Sequence, residues 1–454
     1  MFPPMDLPLP EIAVRLADGR LRARELTEAA QARHDPRLNA YKTWAPEFAL
    51  RQADAADAAF AAGNCLGQLQ GIPVSVKDLY GVAGLPVFAG SPRELPAAWQ
   101  REGPLVRALR NQLAVLMGKT HTVEFAFGGL GTNAHWPAPW NPQDRKVHRA
   151  PGGSSSGAGV SLGEGTALLA LGTDTAGSVR IPASVTGNAG IKTTKGRWST
   201  EGVVPLSPTF DTTGLLARSV ADLAFAFQEL DGGAVMPLQD LSGVKLGIAE
   251  RFFWEGTSPG ISERVAEALQ IAEGAGARTK ELALPATAEL FEIYHKGGIV
   301  SCELYRFLSA ELPAWIETLD PRVRRRMEAG KLLPAWEYLQ RTERYSALAA
   351  GASEVLRDVD ALVSPTVPIS PPPIAELADD EVYMRTNMLT LRNTCVASFL
   401  GLCAVTLPCG RDAIGMPVGL QLMGRPGSET RLLAIAAGLE RLLEQKQVWP
   451  TPGA

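Results

Sequence analysis

An α/β fold is what this sequence of 454 residues predicts: one large domain, with a mixed and mostly parallel sheet covered by helices on both faces. Three observations carry the prediction. From about residue 72 onward, short apolar runs suited to buried strands alternate with amphipathic helical stretches. Near the C-terminus, "AVTLPCG" and "PVGLQLMG" are joined by the turn-rich "RDAIG" and read as an antiparallel pair, which makes the sheet mixed. No low-complexity linker divides the chain and no repeat of solenoid length is visible, so a single domain over 1–454 is expected.

The elements follow in order. Residues 10–63 read as helical: "PEIAVRLADG", "ELTEAAQARH" and "EFALRQADAADAAFAAG" have apolar positions at helical spacing, the last stopping at Gly63. "IPVSVKDL" reads as a strand, "GPLVRALRNQL" as a helix and "AVLMGKT" as a strand end. "TALLALGTD" suits a strand buried on both faces, and "VKLGIAE" and "DALVSPTVP" are similar. Residues 255–355 are helix-rich, with amphipathic stretches such as "SERVAEALQIAEGAG", and read as an elaboration on the domain.

Composition excludes several roles. With 44 basic and 48 acidic residues the net charge is −4, so there is no electrostatic footprint for nucleic acid or an anionic membrane. The five cysteines, Cys65, Cys302, Cys395, Cys403 and Cys409, are odd in number and form no C-x-x-C, which argues against a disulfide frame or a zinc knuckle. No run of 18 apolar residues suggests a spanning helix, and the start lacks the basic and apolar regions of a signal peptide. A soluble cytoplasmic protein without metal or cofactor, monomer or homodimer, is the expectation.

Three stretches bear on chemistry. "LAVLMGKT" resembles the end of a phosphate-binding loop, but the glycine that loop requires five positions before Gly118 is Leu113, so Lys119 reads as a solvated strand-end lysine. "GSSSG" at 153–157 matches a nucleophile elbow with Ser155 as nucleophile. That elbow needs a later histidine, and the one that follows, His295, lies in a helical-looking segment where packing or solvation would explain it as well. The third reading needs no histidine. Ser178 follows an apolar strand in "GTDTAGSVR", where Thr175, Ala176, Gly177 and Ser178 offer consecutive backbone N–H groups for an oxyanion hole. A serine nucleophile needs a base, and a lysine serves if burial keeps it neutral. Lys77, at the end of "GIPVSVKDL", is the candidate; taken alone, its plainer reading is a strand-end lysine reaching solvent.

The combination decides between them. "GIPVSVKDLYGVAGLPVFAGS", "PGGSSSGA" and "LALGTDTAGSVRIPASVTGNAGIKTTKGR" occur in this order, with Ser154 and Ser178 separated by 24 residues. The chain resembles the amidase signature family over about residues 10–445, less so over 255–355. "GGLGTNAHWPAPWNP", "GVVPLSPTFDTTGLLARSVADLA" and "GMPVGLQLMGRP" also look like family segments. The resemblance implies a core at 70–225, with Lys77 as base, Ser154 as a bridging serine after a cis peptide bond, and Ser178 as the acyl-forming nucleophile. Ser155, Asp174 and Arg180 match positions that support the loop, and Gly128 and Gly129 match a segment lining the acyl side of the pocket. It also implies a hydrolase of C–N bonds in small amides or carbamates (urethanes), a partner-dependent amidotransferase component being the alternative. Position 176 is Ala where many members have Gly, and no tandem-tyrosine segment of the amidotransferase kind is present. Substrate specificity is expected from 255–355 and from loops near Trp136, Trp140 and Met388.

Overall fold

The computed structural model describes residues 4–284 and 287–449. Its centre is an eleven-stranded sheet. In chain order the strands are β1 Tyr41–Trp44, β2 Pro73–Lys77, β3 Val115–Thr120, β4 Leu169–Asp174, β5 Ala189–Lys192, β6 Thr212–Ala217, β7 Lys245–Ala249, β8 Arg278–Leu282, β9 Ala361–Pro365, β10 Cys403–Arg411 and β11 Pro417–Gly424. Their spatial order is β1-β3-β2-β4-β6-β5-β10-β11-β9-β7-β8.

The sheet is mixed but not mostly parallel: six of its ten neighbouring pairs are antiparallel. Parallel pairing is confined to β3-β2-β4 on one side and β9-β7-β8 on the other. A run such as β4, buried along its whole length, fits either kind of neighbour. The connections set the direction, and the β10–β11 hairpin and the 193–211 return from β5 to β6 both run antiparallel.

Side-chain alternation along β4 and β6 separates the faces. Leu169, Leu171, Leu215 and Ala217 join the core under the helix Val220–Asp231. Ala170 and Leu216 pack instead with Ala158 and Leu162 of the helix Ser156–Glu164, and with Ala183 of the helix Arg180–Thr186 and Val179 just before it. Helices thus cover both faces.

Two regions differ from the sequence reading. The 10–63 segment holds helices Leu9–Ala17, Ala23–Gln31 and Pro46–Ala61, but β1 interrupts it as an edge strand antiparallel to β3. Within 255–355, the helix Ile261–Gly274 packs into the main core and β8 closes the sheet edge. The helices that leave the sheet begin at Thr287.

β1 also explains "GKT". Gly118 has φ +146°, and a Cβ there would lie 2.3 Å from the Thr43 carbonyl oxygen of β1. Lys119, expected in solvent, is turned inward, with Nζ 2.8 Å from Asp78 Oδ1 and both side chains buried. Among the described residues no helix is long and apolar enough to cross a membrane.

Candidate active site

β3, β2 and β4 are parallel neighbours, so their carboxyl ends open on the same side. Crevices beyond such strand ends are where open α/β sheets bind ligands. β2 ends at Lys77, β4 ends at Asp174 just before the 175–179 turn, and β3 ends at Thr120 before the loop 121–131.

Backbone hydrogen bonds knit these segments to the serine-rich stretch. Val123 N donates to Ser154 O at 3.2 Å, Gly153 N to Gly129 O at 2.8 Å, and Ser155 N to Ser178 O at 3.2 Å. The Gly153–Ser154 peptide bond is cis. Ser155 stands at the N-cap position of the buried start of the helix Ser156–Glu164 without capping it, and its Oγ donates to Thr173 O at 3.4 Å. Its hydroxyl is thus directed into the protein interior.

Lys77 is completely buried. Its Nζ lies 2.7 Å from Ser154 Oγ and 2.7 Å from Thr173 Oγ1, and among the described residues no carboxylate is in hydrogen-bond contact with it. Burial, only partly offset by the charges of Asp174 and Asp211, brings its ammonium down to about 7. The reading of a lysine reaching solvent is therefore wrong. An apolar strand that is buried to its last residue leaves its terminal side chain no route to water.

The 175–178 turn is held from beneath. Asp174 accepts from Gly177 N at 2.7 Å, from Val179 N at 3.2 Å, from Arg180 Nε at 3.0 Å and Nη2 at 2.9 Å, and from Ser398 Oγ at 3.1 Å. Burial alone would push its carboxyl up; the Arg180 charge and hydrogen bonds outweigh this and hold it at about 2. Arg180 also donates to Gln421 Oε1 at 2.6 Å. Gly177 has φ +138°, and a Cβ there would collide with Thr394 Oγ1 at 2.1 Å. Its N–H, spent on Asp174, is not free for an oxyanion, which corrects that member of the expected set. Among the described residues the N–H groups of Thr175, Ala176 and Ser178 carry no such bond. Thr175 is oriented through its Oγ1, 2.6 Å from Asp211 Oδ1. Asp211, pushed up by burial to about 6, also accepts from Leu206 N and Ser207 N.

Ser178 lines a cavity of about 310 Å³ with Thr175, Ala176, Gly128, Phe127, Tyr294 and Arg326. No hydrogen bond joins its Oγ to Ser154 Oγ in this structure. A second cavity of about 740 Å³ adjoins through Phe127, Tyr294, Val300 and Arg326, which line both. Its walls are mostly apolar and aromatic, including Phe210, Tyr345, Met388 and Phe399. Gly128 has no room for bulk: a Cβ would meet Val123 Cγ1 at 3.1 Å and Tyr383 OH at 3.3 Å. Gly129 sits behind, its N–H donating to Asn387 Oδ1 at 2.7 Å.

Several expectations fall elsewhere. His295 lines the outer cavity and makes no side-chain hydrogen bond among the described residues. Trp136 packs with Phe88 and Lys42, and Trp140 stacks on His148; neither lines the two cavities. Among the described residues, no group of three or more His, Cys, Asp or Glu side chains is gathered for a metal ion. Sequence reasoning missed Thr173, Asp211, Tyr294 and Arg326. Thr173 and Asp211 lie within the motif segments and could have been found there. Nothing local distinguishes Arg326 from its neighbours in "PRVRRRM".

Comparison with known proteins bears on this geometry. The model of the family described as Amidase matches residues 25–433. The chain is 51% identical to a 2-amino-5-chloromuconic acid deaminase of Comamonas testosteroni, covering 94% of this chain and 95% of that one. It is 32% identical to a glutamyl-tRNA(Gln) amidotransferase subunit from Chloroflexus aggregans, with 94% and 95% covered. A crystal structure of an amidase superposes with TM-score 0.84 at 33% identity, over 96% of this chain and 99% of the other.

Proposed function

The chain belongs to the Amidase family, a hydrolase of non-peptide C–N bonds in small molecules, and from that premise we propose a mechanism and a substrate class. The observation that carries the mechanism is the buried contact of Lys77 Nζ with Ser154 Oγ, beside a turn with unspent N–H groups. A lysine near neutrality has a lone pair to accept the Ser154 hydroxyl proton. Ser154 takes the proton of Ser178 as Ser178 Oγ attacks the electrophilic carbon, and this contact tightens when substrate is bound, as catalytic hydrogen bonds commonly do. Thr175, Ala176 and Ser178 N–H groups stabilise the charge that develops on the substrate heteroatom. The proton returns through Ser154 to the departing nitrogen, and water releases the enzyme-bound product.

The substrate class follows from Arg326. Its Nη1 donates to Phe127 O at 2.7 Å and its guanidinium lies 3.8 Å over the Phe127 ring. Among the described residues no carboxylate pairs with it, and Nε and Nη2 have no acceptor. A half-buried cation without a counter-ion, at the joint of two cavities, suits a carboxylate on the substrate. The relative named for 2-amino-5-chloromuconic acid, an unsaturated dicarboxylic acid bearing an amino group, supports the same class. We therefore favour a small carboxylate-bearing compound whose nitrogen leaves as ammonia or a small amine, hydrolysed in the cytoplasm without a partner or ATP.

The test is purified protein alone, assayed on amino-substituted unsaturated dicarboxylates, carboxylate-bearing amides, neutral amides and carbamates. Turnover of the carboxylate-bearing members is expected, with a trapped adduct on Ser178 by mass spectrometry. Activity that requires added partner proteins would replace this reading with the amidotransferase one.

A further inference from the structure

Segment 123–129 faces two ways. Towards the catalytic core, Val123 N and Gly129 O hold Ser154 and Gly153. Towards the helical wall, it ties down the helix Pro321–Glu328, which carries Arg326. One tie is the Arg326 bond to Phe127 O. The other is Glu124, whose side chain is 1% exposed. Its Oε2 accepts from Asp320 N at 2.7 Å, at the N-cap of that helix, and its Oε1 lies 3.1 Å from His135 Nε2. The turn that presents Glu124 has Phe125 and Ala126 at φ 45° and 59°, a conformation that non-glycine residues seldom adopt. A buried carboxyl group bound to a backbone N–H of a separate helix has a strong preference for that one position, because losing the contact leaves a buried polar group unpaired.

We propose that Glu124 is a positioning residue for substrate recognition: by fixing the start of the helix Pro321–Glu328 to the catalytic core, it sets where the Arg326 guanidinium stands relative to Ser178. This rests on the reading of Arg326 as a carboxylate anchor. The Glu124 side chain bonds neither the reacting atoms nor a cavity-lining residue, and its backbone bond to Phe127 N survives substitution, so loss of the side chain should weaken anion binding and leave the nucleophile alone.

The experiment separates the two properties. Inactivation of Ser178 by phenylmethylsulfonyl fluoride, a neutral reagent, reports the nucleophile; protection against it by glutarate reports the anion site. Wild type should be protected, and Arg326→Met should lose protection while still being inactivated. Glu124→Ala should need about tenfold more glutarate, with unprotected inactivation within about twofold of wild type. Glu124→Gln keeps an oxygen for Asp320 N and offers an amide N–H to a neutral His135, so it should restore protection. Asp320→Pro removes the same hydrogen bond from the other partner, at a φ of −45° close to the proline range, but also the Asp320 side-chain cap on Arg322 N; Asp320→Ala, which loses only the cap, is its control, and a loss of protection beyond that control should match Glu124→Ala even if the latter folds poorly. Failure of glutarate to protect wild type, or protection surviving in Arg326→Met, would overturn the anchor reading and this inference with it. An intact anchor with wild-type protection in both Glu124→Ala and Asp320→Pro, or an equal loss of nucleophile reactivity and protection, would overturn the positioning role alone.

Discussion

Two halves of the cavity are built on opposite plans. Beneath Ser178, polar groups are shared several ways: the Asp174 carboxylate alone serves two backbone N–H groups of the turn, Arg180 and Ser398. The facing wall, from 287 to 355, meets the cavity mostly with Tyr294, Val300 and other apolar side chains, and with the single unpaired cation of Arg326 among its described residues. Redundant hydrogen bonding fixes the position of a turn to within the tolerance that bond-making needs. A largely apolar wall with few polar groups can change its substrate through few substitutions, without disturbing the nucleophile. On the proposed function, chemistry and recognition are housed separately, and each half can be broken on its own.

The largest effect should come from the core. Ser178→Ala removes the proposed nucleophile, and kcat should fall by on the order of 10⁴-fold or more while circular dichroism and the unfolding midpoint stay unchanged. Residual activity near wild type would place the nucleophile elsewhere.

Lys77 is the next. Lys77→Ala should cost about 10³-fold in kcat. Lys77→Arg should fail as badly, because a guanidinium stays protonated and cannot accept the Ser154 proton. On the proposed mechanism the active form of wild type is the neutral amine, whose fraction increases as pH rises through the folded value. With that value near 7, kcat/KM should climb about tenfold per pH unit below it and level off above it. A profile that rises only near pH 10 would mean the lysine is not desolvated in solution.

The pattern of what was legible follows the same division. The proposed base and serines sit in contiguous stretches that resemble the family's motifs, so Lys77, Ser154 and Ser178 could be named from that resemblance, and the structure brings Lys77 and Ser154 into contact. The direction of the sheet could not: β5 and β6 have no alternation that distinguishes them from loop, since both are buried on every residue. β1 was lost between two alanine-rich helices because only four residues make up the strand that pairs with β3. Arg326 was invisible because three consecutive arginines look like a solvated helix face, and only packing against Phe127 selects the third. Gly177 was misjudged because its N–H looks free until the Asp174 side chain, three residues back, is seen folded beneath it.

Stability should show a smaller contrast. Arg180→Met leaves Asp174 charged and without its buried partner, and should cost about 3–5 kcal/mol in urea unfolding. On the outer wall, Arg344→Met removes an exposed pair with Glu289, and the unfolding midpoint should not move measurably. Equal losses at the two sites would erase the distinction between a rigid floor and an adjustable wall.

The smallest expected effect is at His295, and it is the one that decides between mechanisms. A serine hydrolase of the Ser-His-Asp kind would need an imidazole to bond both its nucleophile and an orienting carboxylate. His295 makes neither contact; it stands at the end of the helix Thr287–His295, on the side of the outer cavity, in tilted contact with the Phe291 ring. The serine of the elbow reading, Ser155, is turned towards Thr173 O. His295→Ala should therefore leave kcat within a few-fold of wild type, and any change should fall on KM, where a wall residue acts. A loss on the order of 10⁴-fold in kcat, with the fold intact, would mean that an imidazole takes the Ser178 proton. It would also put the catalytic base on the adjustable wall instead of in the buried floor.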